Sequence, residues 1–164
     1  MQRDLRDAFT MIELVFVIVV IGILSAIALP RFSDTADTAY LTKAQSTLSA
    51  VRSALAAERQ KRILRGDTTE ITALNLSASG GSTSNAFDHF SADGDGNYQR
   101  VLDYPVAACD DNGRTKACWS VSDDGTTYSY KFVDDGQADF VLSGNRLDCD
   151  SDDTDDCEKI TGKY

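Results

Sequence analysis

An apolar run of 21 residues extends from Phe9 to Leu29 and contains one charged side chain, that of Glu13. At about 1.5 Å per residue, a helix of this length spans the roughly 30 Å hydrocarbon core of a bilayer. A cleaved secretory signal is an alternative, because Ser25 to Ala28 offers small residues for a cleavage site. A carboxylate inside a membrane segment costs about 2.5–3.5 kcal/mol, so Glu13 favours a retained helix in which this charge has a function.

The spacing of apolar positions changes after this run. Over residues 31–65 apolar side chains recur at steps of three and four, which is typical of an amphipathic helix with one packed face; they are Leu41, Ala44, Leu48, Val51 and Leu55. Gly66 and Asp67 end the pattern, so the sequence predicts one long helix over residues 10–65. Pro30 removes a backbone donor and predicts a kink, and Gly22 weakens the apolar half further.

The remaining residues, 66–164, form a predicted globular head in which apolar positions alternate with period two. Loop is expected over residues 66–97, which are rich in Ser, Thr, Gly and Asn. Strands are predicted at Tyr98–Ala107, where Pro105 restricts the strand to an edge, and at three later segments: Ala117–Val121, Tyr128–Phe132 and Phe140–Leu142. Asp-Asp-Gly turns separate the later strands, and the aromatic side chains are expected in the core. The predicted fold is α+β, with the long helix packed on a small antiparallel sheet of three or four strands.

Charge is unevenly distributed along the chain. The formal net charge is −10, and the head holds seven basic against twenty acidic residues. This acidic surface argues against binding of nucleic acid, whose phosphates it would repel. A basic cluster, Arg59, Lys61, Arg62 and Arg65, lies at the end of the predicted helix. We expect it to be a solvated helix end that interacts favourably with the helix dipole, or otherwise to contact the acidic head of a neighbouring subunit.

All four cysteines, Cys109, Cys118, Cys149 and Cys157, lie in the head. The sequence has no CxxC pair and a single histidine, His89, which argues against a zinc site. An even number of cysteines behind a membrane segment predicts two disulfides in an oxidising compartment, with free thiols as the alternative. Three pairings are possible, of which Cys109–Cys118 and Cys149–Cys157 would close short local loops, each stabilising by about 2–3 kcal/mol.

Two acidic clusters are candidate calcium sites. Asp93, Asp95 and Asn97 place oxygen ligands at alternate positions, although Tyr98 and Tyr104 stand where an EF-hand needs glycine and glutamate. The second cluster is flanked by Cys149 and Cys157, and we take Asp148, Asp150 and Asp152 as its candidate ligands; its further members are Asp153, Asp155 and Asp156. The alternatives are a plain acidic turn for the first cluster and a hydrated exposed loop for the second. No cofactor is predicted with certainty.

The string Phe9-Thr10-Met11-Ile12-Glu13-Leu14 resembles the signature of the type IV pilin and type II secretion pseudopilin superfamily. Gly22 and Pro30 fall where the first helix of that family usually has them, and the match covers about 24 residues. Two departures from the family pattern are present. Ala8 replaces the usual glycine before the cleavage point, and the arginines of residues 1–8 are balanced by two aspartates.

The resemblance implies a processing and assembly route. A prepilin peptidase would cut between Ala8 and Phe9, remove the leader of residues 1–8 and methylate the new amino group of Phe9. Residues 9–30 would serve first as a transmembrane helix and then as the filament core, with residues 31–65 as the amphipathic half of the same helix. Glu13 would pair with the terminal amine of its own or a neighbouring subunit, since each charge alone is costly in lipid.

Three functions follow as hypotheses. The first is a structural subunit of a type IV pilus-like filament, which assembles with itself or with homologous pilins on an inner-membrane platform. Its head would lie in the periplasm before assembly, and the filament would be extracellular or periplasmic. The second is a type II secretion pseudopilin that drives protein export. The third is a membrane-tethered calcium-binding domain that never polymerises. The C-terminal cysteine-bounded loop resembles an exposed variable loop of pilins, and no catalytic constellation is visible, so the sequence predicts no enzyme.

Overall fold

The structure is a computed structural model that describes residues 9–76, 85–110, 115–151 and 154–162, without the side chains of residues 29–34, 154 and 155. The chain divides into two compact units, of which the first ends at Thr38 and the second begins at Ala39. The elements are one long helix, a four-stranded sheet and a short C-terminal helix. We describe each unit by itself.

Helix α1 extends over Met11–Leu64, as the hydrophobic periodicity predicts. It begins with a capping arrangement, since the backbone N–H of Glu13 lies 3.3 Å from the hydroxyl of Thr10, and Thr-x-x-Glu is a typical helix start. It ends in a Schellman motif. Gly66 adopts a φ of 78°, while the N–H of Asp67 donates to the carbonyl of Arg62 at 2.9 Å. The residue types at both ends therefore explain where the helix begins and stops.

The first unit contains the apolar half of α1. Met11–Ala28 is long and apolar enough to cross a membrane, by length and composition. Its side chains do not pack within the unit; Phe16 and Ile23, for example, are 67% and 60% exposed. Pro30 lies within the helical range, but its side chain lies outside the described residues, so the kink stays a prediction.

The second unit contains an antiparallel meander with the strand order β1-β2-β3-β4. The strands are β1 Cys118–Val121, β2 Thr127–Lys131, β3 Gln137–Ser143 and β4 Arg146–Cys149. The β3–β4 hairpin turns through Gly144 and Asn145, with φ angles of 58° and 60°, as a two-residue type I′ turn requires. The meander confirms the predicted α+β fold.

The core lies between the sheet and one face of α1. Ala44, Leu48, Val51 and Leu55 of the predicted stripe are buried, and Leu41 packs against them. Tyr128, Tyr130 and Phe132 are buried on the facing side, so the alternation of aromatics is a core pattern as predicted. Trp119 is tilted against Phe140 with ring centroids 5.7 Å apart. Aromatic pairs at such distances add to the burial of apolar area.

Two features of the head differ from the sequence prediction. Tyr98–Ala107 is not a strand; it makes only isolated bridges, His89↔Arg100 and Asn85↔Ala107. Pro105 lacks a backbone donor, so this residue cannot donate to a ladder. The second difference is helix α2, Thr154–Thr161, which the acidic composition of this segment concealed. Its buried side chains include Cys157 and Ile160, which are three positions apart and so lie on one helix face.

Candidate functional site: the capped N-terminal helix

The assembly residues predicted from the sequence lie in or next to the first turns of α1. Phe9 precedes the helix and is 79% exposed, and Glu13 is exposed in the first turn. Within the described part of the chain, no cation lies at ion-pair distance from Glu13. A Cβ built at Gly22 would meet no other atom within 4 Å, so this position is open to a neighbouring surface. Ala8 and the predicted leader lie outside the described residues.

The basic cluster at the other end of α1 is not simply solvated, which corrects the expectation for Arg62. Its side chain is 2% exposed, and its Nε lies 3.1 Å from Oε1 of the buried Glu58. The guanidinium also donates to the carbonyls of Ser91, at 2.6 Å, and Ala92, at 3.4 Å. Arg62 therefore joins α1 to the loop that precedes the sheet. The spacing of four between Glu58 and Arg62 was a signal for this pair, since it places both side chains on one helix face.

In the first candidate calcium cluster, hydrogen-bond donors of the protein surround the carboxylate of Asp93. Oδ1 of Asp93 accepts backbone N–H groups from Asp95, at 3.2 Å, and Asn97, at 2.7 Å, while Oδ2 lies 3.2 Å from Nη2 of Arg65. The hydrogen bond from Asn97 is the main cause of a lowered pKa of Asp93. A carboxylate that already faces two N–H groups and a guanidinium does not fit a cation ligand. Asp95 and Asn97 are exposed, and the side chain of Asn97 also hydrogen-bonds the Asp93 carboxylate.

Asp67 stabilises the same loop from the end of α1. Its carboxylate accepts backbone N–H groups from Gly94, at 2.9 Å, and from Thr69, at 2.8 Å, which lowers the pKa of Asp67 to about 2, the bond from Gly94 being the largest cause. A Cβ at residue 94 would lie 2.9 Å from Oδ1 of Asp67. A side chain at this position would therefore require the Asp67 carboxylate to shift, and the aspartates of this turn have a structural role.

Comparison with known proteins identifies the family to which the chain is related. No family model matches the chain, and no solved structure matches it. Over 48 residues it is 58% identical to the type IV narrow pilus major component PilA5 of Thermus thermophilus. This alignment covers 29% of this chain and 41% of that protein. Over 55 residues it is 38% identical to the type II secretion system core protein G of Pseudomonas aeruginosa, covering 34% and 39%. The chain thus aligns with less than half the length of these two relatives.

A third relative extends the similarity well beyond a helix-sized segment. The chain is 30% identical over 112 residues to the type IV major fimbrial protein FimA of Dichelobacter nodosus, which covers 65% of this chain and 67% of that protein. The chain belongs to the type IV pilin and pseudopilin superfamily. The resemblance inferred from Phe9 to Leu14 is confirmed.

The head of this superfamily member contains two disulfides, Cys109–Cys118 and Cys149–Cys157, with Cα atoms 5.2 and 5.9 Å apart. The first joins Cys109 to the first residue of β1. The second joins the end of β4 to α2, so this segment holds structured elements where a loop was expected. Two local bridges compensate for the modest core of a small domain.

The described residues of the second candidate calcium cluster are not arranged around a common site either. Asp148 lies in β4, where one of its oxygens is 3.0 Å from Nε of Arg146. Asp150 follows the strand, and its N–H donates to the carbonyl of Asp139 at 2.9 Å. Asp152 lies outside the described residues. Among the described residues no group of three acidic, cysteine or histidine side chains is arranged to hold a metal, and the calcium hypothesis is unsupported.

Proposed function

We propose that this protein is a structural subunit of a type IV pilus-like filament. Residues 9–30 anchor it in the inner membrane with the head in the periplasm. A prepilin peptidase removes residues 1–8 and methylates Phe9, and an assembly platform then transfers the subunit into a filament of itself or of homologous pilins. The proposal is mechanical, and it assigns the protein no catalytic role. Its relatives support it, since their names describe a pilus component and a fimbrial protein.

The observation that carries the proposal is one carboxylate on an exposed apolar helix. Glu13 lies four residues after Phe9, the residue that processing would leave as a cationic terminus. An apolar helix whose side chains are exposed over Met11–Ala28 requires lipid or other helices around it. In such surroundings Glu13 and the amine of Phe9 stabilise one another, within a subunit or between subunits, and the pair sets the register of neighbouring helices.

The test compares two single charge removals on α1. Glu13→Ala is expected to reduce the fraction of subunits recovered in sheared filaments by at least about tenfold, because an unpaired terminal amine would remain in the apolar core. Asp37→Ala, the matched control, removes an exposed carboxylate from the same helix and should leave the yield unchanged. Undiminished filaments from Glu13→Ala would contradict the proposal. Mass spectrometry of wild-type filaments should find Phe9 as a methylated first residue, and a retained leader would refute the processing step.

A type II secretion pseudopilin is the second candidate, supported by the 38% identity to core protein G. The two candidates differ in the phenotype of a deletion strain. Loss of surface filaments with normal export supports the pilin, whereas retention of exported proteins in the periplasm with normal surface filaments supports the pseudopilin. The greater extent of the FimA alignment favours the pilin.

A further inference from the structure

A pocket of about 530 Å³ lies between α1, the segment that precedes β1, and strands β1 and β2. Among its lining residues are four aromatic side chains and two lysines, and we call it the tyrosine pocket: Tyr40 and Lys43 from α1, Tyr104 and Lys116 from the segment before β1, Trp119 from β1 and Tyr130 from β2. Ligand pockets usually have volumes of about 300–1,000 Å³ and combine aromatic side chains with a few polar groups. The tyrosine pocket therefore has the size and the composition of a binding site.

The buried side of the pocket is aromatic and held in place. Trp119 and Tyr130 are both buried, and their ring centroids lie 5.2 Å apart. The Tyr130 hydroxyl donates to the carbonyl of Tyr40 at 3.2 Å, which joins this side of the pocket to α1. The indole N–H of Trp119 donates to no group of the described residues, although a buried indole N–H usually has an acceptor. This side of the pocket therefore retains one donor without an acceptor from the protein.

The rim of the pocket carries two exposed tyrosines. Tyr104 is 89% exposed and Tyr40 is 46% exposed. Tyr40 and Lys43 are three positions apart on α1, so they lie on the same face of the helix. An aromatic ring that stays in water stabilises the fold little, because it buries little apolar area. The exposed rings are therefore available to the apolar face of a ligand.

The two lysines of the pocket are in different electrostatic states. Nζ of Lys116 lies 2.6 Å from the carboxylate of Asp135 and donates to the carbonyl of Val133 at 3.0 Å. Lys43 is exposed and makes no ion pair with any residue that the structure describes. In a chain of net charge −10, an unpaired ammonium group beside aromatic rings favours a ligand with an anionic group. The twenty acidic residues of the head would repel a densely charged polyanion such as nucleic acid, so the ligand should carry widely spaced charges.

We propose that the tyrosine pocket binds a carboxylated sugar, namely one hexuronate unit of an acidic polysaccharide. The apolar C–H face of the sugar ring packs on the exposed ring of Tyr104, as the flat face of a ligand packs on an aromatic surface. The sugar carboxylate pairs with Lys43, and a sugar hydroxyl accepts from the indole N–H of Trp119. The proposal goes beyond filament assembly, because every lining residue of the pocket belongs to the second unit.

The experiment titrates the full chain with the trisaccharide of galacturonic acid, in a polyoxyethylene detergent that has no sugar headgroup. Trp119 is the single tryptophan, so its emission reports on the pocket, and calorimetry of the same titration detects binding that leaves the emission unchanged. The trisaccharide of neutral galactose is the ligand control. It should bind at least about fivefold more weakly at low salt, and the difference should shrink at high salt because salt screens the charge pair.

Matched variants separate the two contacts. Lys43→Gln should weaken binding of the acidic trisaccharide about fivefold, the upper range for an exposed ion pair, whereas Arg100→Gln, at an exposed position outside the pocket, should not weaken it. Tyr104→Ala should also weaken binding about fivefold, while Tyr98→Ala, at an exposed tyrosine outside the pocket, should have no effect.

Four outcomes would overturn the inference. The first is no saturable binding of the acidic trisaccharide by either measurement, and the second is equal affinity for the neutral trisaccharide at low salt. The third is equal loss of affinity in Lys43→Gln and Arg100→Gln. The fourth is tighter binding of a short oligothymidylate, which would assign the pocket to nucleic acid.

Discussion

Replacement of Arg62 by alanine provides a direct test of the buried charge cluster at the end of α1. Arg62 and Glu58 are 2% and 5% exposed, and they lie 3.1 Å apart. Removal of the guanidinium leaves the carboxylate of Glu58 buried and the carbonyls of Ser91 and Ala92 without their donor. The variant is therefore expected to be far less stable than one in which an exposed arginine of the same helix is replaced by alanine.

The magnitude follows from what remains around Glu58. Breaking a buried ion pair by deleting one partner costs about 3–5 kcal/mol. Lys61 and Arg65 remain 3.6 and 3.8 Å from the carboxylate and compensate part of its charge. We therefore expect a loss near the lower limit, about 3 kcal/mol. With a denaturant dependence of about 2 kcal/mol/M in urea, the midpoint of unfolding should fall by about 1.5 M.

The assay uses the full chain in a mild non-ionic detergent, with the fluorescence of Trp119 as the signal. Trp119 is the single tryptophan of the chain and is 2% exposed in the head, so its emission reports unfolding of the head. Arg59→Ala is the matched control, since Arg59 lies on the same helix but is exposed, and it should change stability by less than about 0.5 kcal/mol. Equal midpoints for the two variants would refute the reasoning that burial of the pair makes Arg62 structural.

Two further predictions use the same assay. Tyr128→Phe should lower the free energy of unfolding by about 1–3 kcal/mol, because the buried N–H of Leu74 donates to the Tyr128 hydroxyl at 2.7 Å and would lose its acceptor. Tyr104→Phe, at a side chain that is 89% exposed, should leave the stability unchanged. Similar losses of stability in the two variants would exclude the hydrogen bond as the cause. Asp67→Asn should destabilise the head at pH 5, and progressively less as the pH falls through 4 towards 2. The folded pKa of Asp67 is depressed to about 2, so the ionised carboxylate stabilises the head above the unfolded pKa, and this stabilisation is lost as the carboxylate is protonated. A difference between wild type and Asp67→Asn that stayed constant from pH 5 to 2 would contradict this assignment.

Much of the fold follows from local patterns. The stripe from Leu41 to Leu55 predicted the packed face of α1, and the alternation through Tyr128 and Phe132 predicted β2 and its buried side. These predictions succeed because period and burial are linked directly in helices and strands. The Thr10-to-Glu13 spacing and Gly66 likewise explain the two ends of α1.

The parts that were missed depend on tertiary contacts. Arg62 is buried because the loop at Ser91 folds over it, and no local pattern announces a contact between residues 29 positions apart. Helix α2 lies in an acidic segment of low apolar content, and the Cys149–Cys157 bridge holds its inner face on the sheet. The Asp93 turn has the composition of a cation site, but Arg65 supplies the positive charge that the carboxylate faces. The sequence alone could not assign these partners.

The meander also bears on how the head folds. Each strand pairs with the next strand in sequence, and the two disulfides join cysteines only nine and eight positions apart. Contacts of such short sequence separation require little loop closure, and chains rich in them fold quickly. The long-range step is attachment of the sheet to α1, as in the bond between Arg52 and Leu147 across 95 residues. We therefore expect the joining of the two layers, rather than the pairing of the strands, to limit the folding rate of the head.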